Sequence, residues 1–165
     1  MWGMIAASAL AVAGQAAPAP DALFDPTKPP ALVEALREAG YKAELKTNKQ
    51  GEPYIVSAAN GSSFTIELYG CKGMTDCGSF QFYNFYKKDP FYTIALANEW
   101  NASKRFVRVA IDRDGDLAMS MDVAAVGKMT QAAFADWIDW YSVMDADLDK
   151  FLAEKRAAAG KPAGK

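Results

Sequence analysis

The sequence predicts an α+β fold, a mainly antiparallel sheet of about six strands with three helices in the order α-β-β-β-β-α-β-β-α. Three observations support this prediction. Several segments in succession alternate apolar and polar residues, which is typical of half-buried strands. Asn60-Gly61 and Asp114-Gly115 each stand between two such segments, and these dipeptides favour tight hairpin turns. Apolar residues at helical spacing occur in separate stretches between the strand runs, which indicates helices covering one face of the sheet.

The individual elements follow from these two periodicities. Alternation predicts strands over residues 41–46, 52–58, 64–68, 79–86, 105–111 and 117–123. Spacing at three and four residues predicts helices over residues 31–39, 93–103 and 130–155. The first three strands form a meander, and the last two form a second antiparallel hairpin.

The helices also carry terminal signals. Pro29 and Pro30 suit a first turn, Gly40 suits the end of the first helix, and Thr130 is a candidate cap for the last helix. The second helix has one apolar stripe, predicted to be buried: Ile94, Ala97 and Trp100. The stripe of the last helix consists of Phe134, Trp137, Ile138, Tyr141, Met144 or Asp145, Leu148, Phe151 and Leu152.

Composition divides the chain into four parts. We expect a signal peptide or apolar leader over residues 1–17, a Pro/Ala linker over 18–30, a globular domain over 31–155 and a disordered tail over 156–165. The leader has the apolar run and small residues of a cleaved export signal, although no Lys or Arg precedes Lys28. An uncleaved membrane anchor and an apolar tail are the alternatives. No later segment is predicted to span a membrane.

Cys71 and Cys77 form a C-x5-C pair between two predicted strands. In an exported chain such a pair first indicates a disulfide, which stabilises a small loop by about 2 kcal/mol. A redox-active pair is the weaker alternative because C-x-x-C is the usual redox spacing, and free thiols fit a cytosolic protein. A metal site lacks two further soft ligands. We therefore expect a structural disulfide in a periplasmic or secreted bacterial protein.

Charge and composition also limit the function. The 18 Lys and Arg residues against 20 Asp and Glu residues give a formal net charge of −2, and the chain contains 0 His residues. Such a small charge disfavours nucleic acid as a partner. The lack of histidine excludes Ser-His-Asp and Cys-His nucleophile systems and His-ligated metal sites. We therefore predict no enzymatic activity, no catalytic residues and no cofactor.

Two acidic motifs suggest cation binding but have simpler interpretations. The DRDGD motif at residues 112–116 has Ala110 and Met121 where an EF-hand needs acids, so it is interpreted as a hairpin turn and no metal site is predicted. The acids of the last helix could attract a cation or a basic peptide, but most of them avoid its apolar stripe and are typical of a solvated face. They are Asp136, Asp139, Asp145, Asp147 and Asp149.

The segment at residues 80–92 is unusually aromatic, with seven aromatic side chains among thirteen residues. Strand alternation places Phe80 and Phe82 on one face and Tyr83 and Phe85 on the other, unless a bulge near Asn84 changes the alternation. An exposed aromatic face with lysines at its rim has the composition of a binding surface. The alternative is that a helix or the C-terminal segment covers this face and makes it a second core.

Three segments of the chain resemble the bacterial YbjN-domain family, whose members are labelled sensory transduction regulators. They are EALREAGYKAELKTNKQGEPYI, FTIELYGCKGMTDCGSFQF and, most specifically, NEWNASKRFVRVAIDRDGDLAMSMDV. The likeness covers about residues 31–152. The resemblance implies an α+β fold similar to type III secretion chaperones and no established enzymatic activity. It also implies a cysteine pair like that of exported members, but it supplies no known binding residues.

Together these observations favour a non-enzymatic periplasmic binding or regulatory domain, chaperone-like in architecture. Its predicted partner is a protein or peptide, with a second copy of the chain as an equal alternative, and its predicted binding residues are Tyr83 and Phe85. The alternative function is a structural or stress-related cell-envelope protein with no defined ligand pocket. Exposure of the aromatic face favours the first hypothesis, and a covered face favours the second.

Overall fold

The computed structural model describes residue 19 and residues 21–59 and 61–160, so the leader predicted over residues 1–17 lies outside the described part. The elements confirm the predicted α+β fold and its order, with two very short strands added. They are β1 (Leu23–Phe24), α1 (Pro29–Glu38), β2 (Ala43–Thr47), β3 (Pro53–Ala59), β4 (Ser62–Tyr69), β5 (Ser79–Tyr86), α2 (Ile94–Ser103), β6 (Arg108–Ile111), β7 (Leu117–Ala124), β8 (Met129–Thr130) and α3 (Gln131–Ala158).

Six strands form one sheet in the order β2-β3-β4-β5-β7-β6, and all neighbouring pairs are antiparallel. The longest ladder joins β5 to β7, from Ser79 opposite Ala124 to Tyr86 opposite Leu117. The second predicted hairpin therefore adds to β5 through its later strand, and β6 lies at the edge. The added strands β1 and β8 pair with each other in a separate two-stranded sheet.

The core lies between one face of the sheet, here called the inner face, and the three helices. Phe80 and Phe82 of β5 are both 0% exposed. The Phe82 ring centroid lies 5.2 Å from that of Tyr141 on α3, and the Phe80 centroid lies 6.1 Å from that of Phe134. Tight aromatic packing of this kind stabilises a core by more than the burial of its surface area alone.

Among the described residues, no helix is both long and apolar enough to cross a bilayer.

Helix α2 confirms one of its predicted core residues and corrects another. Trp100 is 0% exposed, and its Nε1 donates a hydrogen bond to the Val107 carbonyl oxygen over 3.3 Å. The prediction for Ile94 was wrong, because this side chain is 79% exposed. Thr93 caps the helix by accepting a hydrogen bond from the Leu96 amide, so Ile94 lies in the first turn. The buried side of α2 begins one turn later, at Ala97.

The exposed edge of the sheet at β6 is blocked by one side chain of α2. Asn101 Nδ2 donates to the Val109 carbonyl oxygen over 2.9 Å, and the Val109 amide donates to Asn101 Oδ1 over 2.9 Å. At Val109 the Asn101 amide group thus makes the two backbone hydrogen bonds that a further strand would make. Since open edges invite strand addition, this pairing disfavours a partner at β6.

The ends of the folded domain extend beyond the predicted boundaries. The predicted linker over residues 18–30 contains β1, whose Leu23 pairs with Thr130, and α1 begins at Pro29. The tail predicted to be disordered over residues 156–165 is helical as far as Ala158, and residues 161–165 lie outside the described part. Arg156 explains the longer helix, because its buried guanidinium binds the Asp89 carboxylate at 2.8 Å.

Cys71 and Cys77 are joined by a disulfide, as predicted, and the bond closes the turn between β4 and β5. Cys77 is 1% exposed, and its amide donates to the Thr27 carbonyl oxygen over 2.9 Å. Asp76, in the same loop, forms an ion pair with Lys28 at the start of α1. The bridged loop therefore holds the first helix against the centre of the sheet.

The DRDGD motif forms the turn of the β6–β7 hairpin, with Ile111 opposite Leu117. Asp112 Oδ1 accepts hydrogen bonds from the amides of Asp114 and Asp116, each over 2.9 Å. The Lys88 amide, followed by the Lys87 ammonium, lowers the pKa of Asp116. No group of three or more possible ligands within the described part of the chain could hold a metal ion.

Candidate protein-binding surface

The second face of the sheet, here called the outer face, is packed by none of the described helices. It is formed by every other residue of each strand, and one row across it contains Val56, Thr65, Tyr83, Ser120 and Arg108. These side chains point away from the core because strand residues alternate between faces. Within residues 21–59 and 61–160, no helix therefore covers the outer face of the six-stranded sheet.

Tyr83 and Phe85 lie on the outer face, side by side. The β5–β7 ladder continues past Asn84 without a bulge, since Asn84 pairs with Met119 and Phe85 with Ala118. Phe85 is 43% exposed, Tyr83 is half-buried, and their ring centroids are 6.2 Å apart. The predicted separation of the aromatic residues into two faces is thus present in the structure.

A shallow depression of about 230 Å³ lies beside the two rings. Its lining comes from the three central strands β3, β4 and β5 and consists of Val56, Ser63, Phe64, Thr65, Glu67, Tyr83, Asn84 and Phe85. The depression can accept one apolar side chain of a bound segment.

Polar side chains on the outer face mostly bind one another. Gln81 Nε2 donates to Asp122 Oδ1 over 2.6 Å, and Arg108 Nη2 lies 3.7 Å from Asp122 Oδ2. Thr65 Oγ1 donates to Glu67 Oε1 over 2.6 Å. Because these groups are already paired, a partner can cover the apolar part of the face without leaving them unsatisfied.

The groups that surround the aromatic pair are a partly buried hydroxyl and an ion pair. Burial raises the pKa of Tyr83, and the carboxylates of Asp112 and Asp116 raise it further. The Lys87 ammonium lies 4.6 Å from the Phe85 ring centroid and 3.0 Å from Asp116 Oδ2. The surface therefore combines an uncharged aromatic pair with the Lys87–Asp116 ion pair at its edge, an arrangement suited to contact with a protein.

Sequence reasoning identified the aromatic pair but missed the rest of this surface. Val56 and Thr65 lie on the outer face, whereas Ile55 and Ser57 point into the core. The sequence showed that Tyr54, Val56 and Ala58 lie on the same face of a strand. It contained no local signal for whether that face or the opposite one packs against the helices. A second exposed aromatic group, at Phe106 and Trp140, was also missed.

Comparison with known proteins agrees with the resemblance seen in the sequence. Residues 29–153 match the model of the YbjN family, described as "Putative bacterial sensory transduction regulator". Neither the curated proteins nor the solved structures gave a match. The matched range runs from the first residue of α1 almost to the end of α3 and so includes the whole six-stranded sheet. The chain belongs to the YbjN family.

Proposed function

We propose that this domain is a non-enzymatic binding or regulatory module that captures a protein or peptide partner on the outer face, at Tyr83 and Phe85. The observation that supports it most directly is the exposure of this face, which carries an aromatic pair and an adjacent depression. Contiguous exposed aromatic side chains on a folded domain commonly mark an interaction site. YbjN membership supports the regulatory part of the proposal.

The mode of capture that the surface favours is side-on packing. The partner would place one apolar side chain in the depression between β3 and β5 and cover the Phe85 ring, while Lys87 binds at the rim. Addition of a strand at β6 is disfavoured because Asn101 occupies that edge. This resembles a chaperone that holds a segment of its client, which is the analogy implied by the family.

We also propose that the domain works outside the bacterial cytoplasm, in the periplasm or after secretion. The internal disulfide supports this location, because such bonds persist mainly in oxidising compartments. Intact-mass measurement of the protein from its native host tests the proposal. A mass that begins beyond the leader supports export, and a chain starting at Met1 in the cytosolic fraction contradicts it.

The binding proposal is tested by Tyr83→Ser combined with Phe85→Ser. Both side chains lie on the outer face and outside the helix-packed core, so we expect the double variant to keep its melting temperature and lose association. Tyr69→Ser is the matched control, because Tyr69 is 48% exposed but contacts the polar part of the same face. Sedimentation velocity at rising concentration measures self-association, and a pull-down from periplasmic extract followed by identification measures partner capture.

The two assays separate the possible partners. Concentration-dependent sedimentation that the double variant abolishes identifies a second copy of the chain as the partner. Capture of one identified protein by the monomer, lost in the double variant and kept in Tyr69→Ser, identifies a different partner. If the double variant unfolds, or if the native protein neither self-associates nor captures a protein, the proposal is wrong and the structural-protein alternative is favoured.

A further inference from the structure

A second exposed aromatic surface lies on the helical side of the molecule, away from the outer face. It is formed by α3 and by the loop between α2 and β6, and we call it the aromatic–acidic patch: Phe106, Trp137, Trp140, Val143, Asp136 and Asp139. Phe106 is 41% exposed, Trp140 is 39% exposed and Val143 is 52% exposed. Large apolar side chains that are exposed next to one another on a folded domain commonly mark an interaction site.

The backbone of Phe106 adopts an unfavourable conformation to reach this surface. Its φ is 66°, and the Val107 amide donates to the Arg105 carbonyl oxygen over 2.8 Å across a three-residue turn. A bulky residue in the left-handed region is uncommon because of its steric cost. The result is a Phe106 ring centroid 4.5 Å from that of Trp140 and 6.4 Å from that of Trp137. The loop thus extends the aromatic surface of α3 without burying it.

The aspartates of α3 divide into two groups. Asp145 is buried and accepts a hydrogen bond from Asn84. Asp149 accepts one from the Tyr86 hydroxyl over 2.9 Å, and Asp147 lies 2.6 Å from the Lys104 ammonium. The other two, Asp136 and Asp139, are exposed and form no ion pair or side-chain hydrogen bond with the residues that the structure describes. On a helix, residues four apart are neighbours, so Asp136 lies next to Trp140 and Asp139 next to Val143.

Elsewhere the same fold holds its own cations with one aromatic ring and one carboxylate. Lys104 shows the arrangement, with its ammonium 5.5 Å from the Trp100 ring centroid and 2.6 Å from Asp147. The other examples among the described residues are Lys87 with Phe85 and Asp116, Lys155 with Phe151 and Glu99, and Arg156 with Phe91 and Asp89. The aromatic–acidic patch contains the same ring and carboxylate groups. The Arg105 guanidinium lies 5.0 Å from the Phe106 ring centroid, but Trp140 has no cation beside it in the described part of the chain.

We propose that the aromatic–acidic patch binds a Lys- or Arg-rich segment of a protein partner. The alkyl part of a basic side chain would pack on Trp140 and Val143, and its charged group would lie between the Trp140 ring and the carboxylates of Asp136 and Asp139. Ring and carboxylate act together here, because a cation is attracted both by the face of an indole and by the negative charge. This proposal is independent of the one for Tyr83 and Phe85, since it uses a different surface.

The test uses a synthetic Ala/Lys peptide with lysines at helical spacing and the same peptide with glutamate for lysine. We expect isothermal titration calorimetry to detect binding of the lysine peptide but not of the glutamate peptide, and this binding should weaken as ionic strength rises. In NMR spectra the lysine peptide should shift the indole N–H signals of Trp137 and Trp140. Asp136→Asn with Asp139→Asn should weaken binding roughly tenfold, which corresponds to about 1.4 kcal/mol for the two exposed charge contacts together. Trp140→Ala should weaken it to a similar degree or more.

The matched control is Asp114→Asn with Glu154→Gln, which changes the net charge equally at exposed acids outside the patch. This control should bind the lysine peptide within about twofold of the native protein, because distant exposed charges are screened. Equal weakening by both double variants, equal binding of both peptides, or no binding at millimolar peptide overturns the proposal. The Tyr83→Ser and Phe85→Ser variant should bind the lysine peptide normally, so failure of one proposal is distinguishable from failure of the other.

Discussion

Replacing Trp100 by alanine tests the reasoning about the core most directly. Trp100 is the largest fully buried side chain of the domain and joins α2 to the end of α3. Its ring centroid lies 5.5 Å from that of Phe151, and its Nε1 donates to the Val107 carbonyl oxygen. Alanine removes the ring contact and the hydrogen bond and leaves a large cavity between the helices and β6.

The expected loss follows from these contacts. Removal of a buried Trp or Phe side chain costs about 3–5 kcal/mol of unfolding free energy, because transfer and cavity effects add. Trp100 is 0% exposed, so the whole side chain contributes. Trp100→Phe is the matched comparison, because it keeps a ring for Phe151 but leaves the Val107 carbonyl oxygen without its donor. An unpaired buried polar group costs about 1–3 kcal/mol, so the phenylalanine variant should be the less destabilised of the two.

Urea unfolding followed by far-ultraviolet circular dichroism measures both variants without relying on tryptophan fluorescence. We expect a lower midpoint at an unchanged slope, since the area exposed on unfolding hardly changes. If Trp100→Ala lowers the unfolding free energy by less than about 1 kcal/mol, the contacts described here do not hold the helices together, and the core assignment is refuted. If the phenylalanine variant is the less stable one, a ring kept at this position does not pack on Phe151 as described, and the reasoning about this contact is refuted.

Two further predictions concern the disulfide and a buried acid. Cys71→Ser should lower the unfolding free energy by about 2 kcal/mol, measured by urea unfolding without reductant; two reactive thiols in a titration of the native protein would contradict the bond. Asp145→Asn should raise the melting temperature at neutral pH. Burial, and next the Asp149 carboxylate, raises the pKa of Asp145, so the native state binds this proton more tightly than the unfolded chain. The native protein therefore loses stability as pH rises from the pKa that Asp145 has in the unfolded chain to its raised pKa in the folded protein. The increase in melting temperature caused by Asp145→Asn should grow over that pH range and disappear in acid. An increase in melting temperature that does not change with pH would contradict this prediction.

Local periodicity was enough to predict the six strands of the main sheet, the three helices and the two faces of β5. Phe80 and Phe82 are buried while Phe85 is exposed on the opposite face, because alternation is a property of any strand. The Cys71–Cys77 bond could also be predicted, since a short bridged loop needs only its own turn to form. Trp100 was found for the same reason, because it shares a stripe with Ala97.

Long-range contacts decided what the sequence pattern left open. Arg156 is ordered by Asp89, 67 residues earlier in the chain, so the predicted end of the last helix was too early. Both Met144 and Asp145 proved to be buried, and Asp145 lies against Asn84 and Tyr86, 61 and 59 residues earlier in the chain. Such partners have no local signal, since their separation along the chain is arbitrary.

By itself the sequence determined the fold class, the aromatic pair Tyr83 and Phe85, and the family to which the chain belongs. Only the tertiary structure decided that no described helix covers these rings, that Asn101 closes the β6 edge, and that Phe106 lies against Trp140. The physical reason is that side-chain direction depends on the local backbone, whereas exposure depends on which distant element packs above it. A binding surface is defined by exposure, and so it becomes visible only when the whole chain is folded.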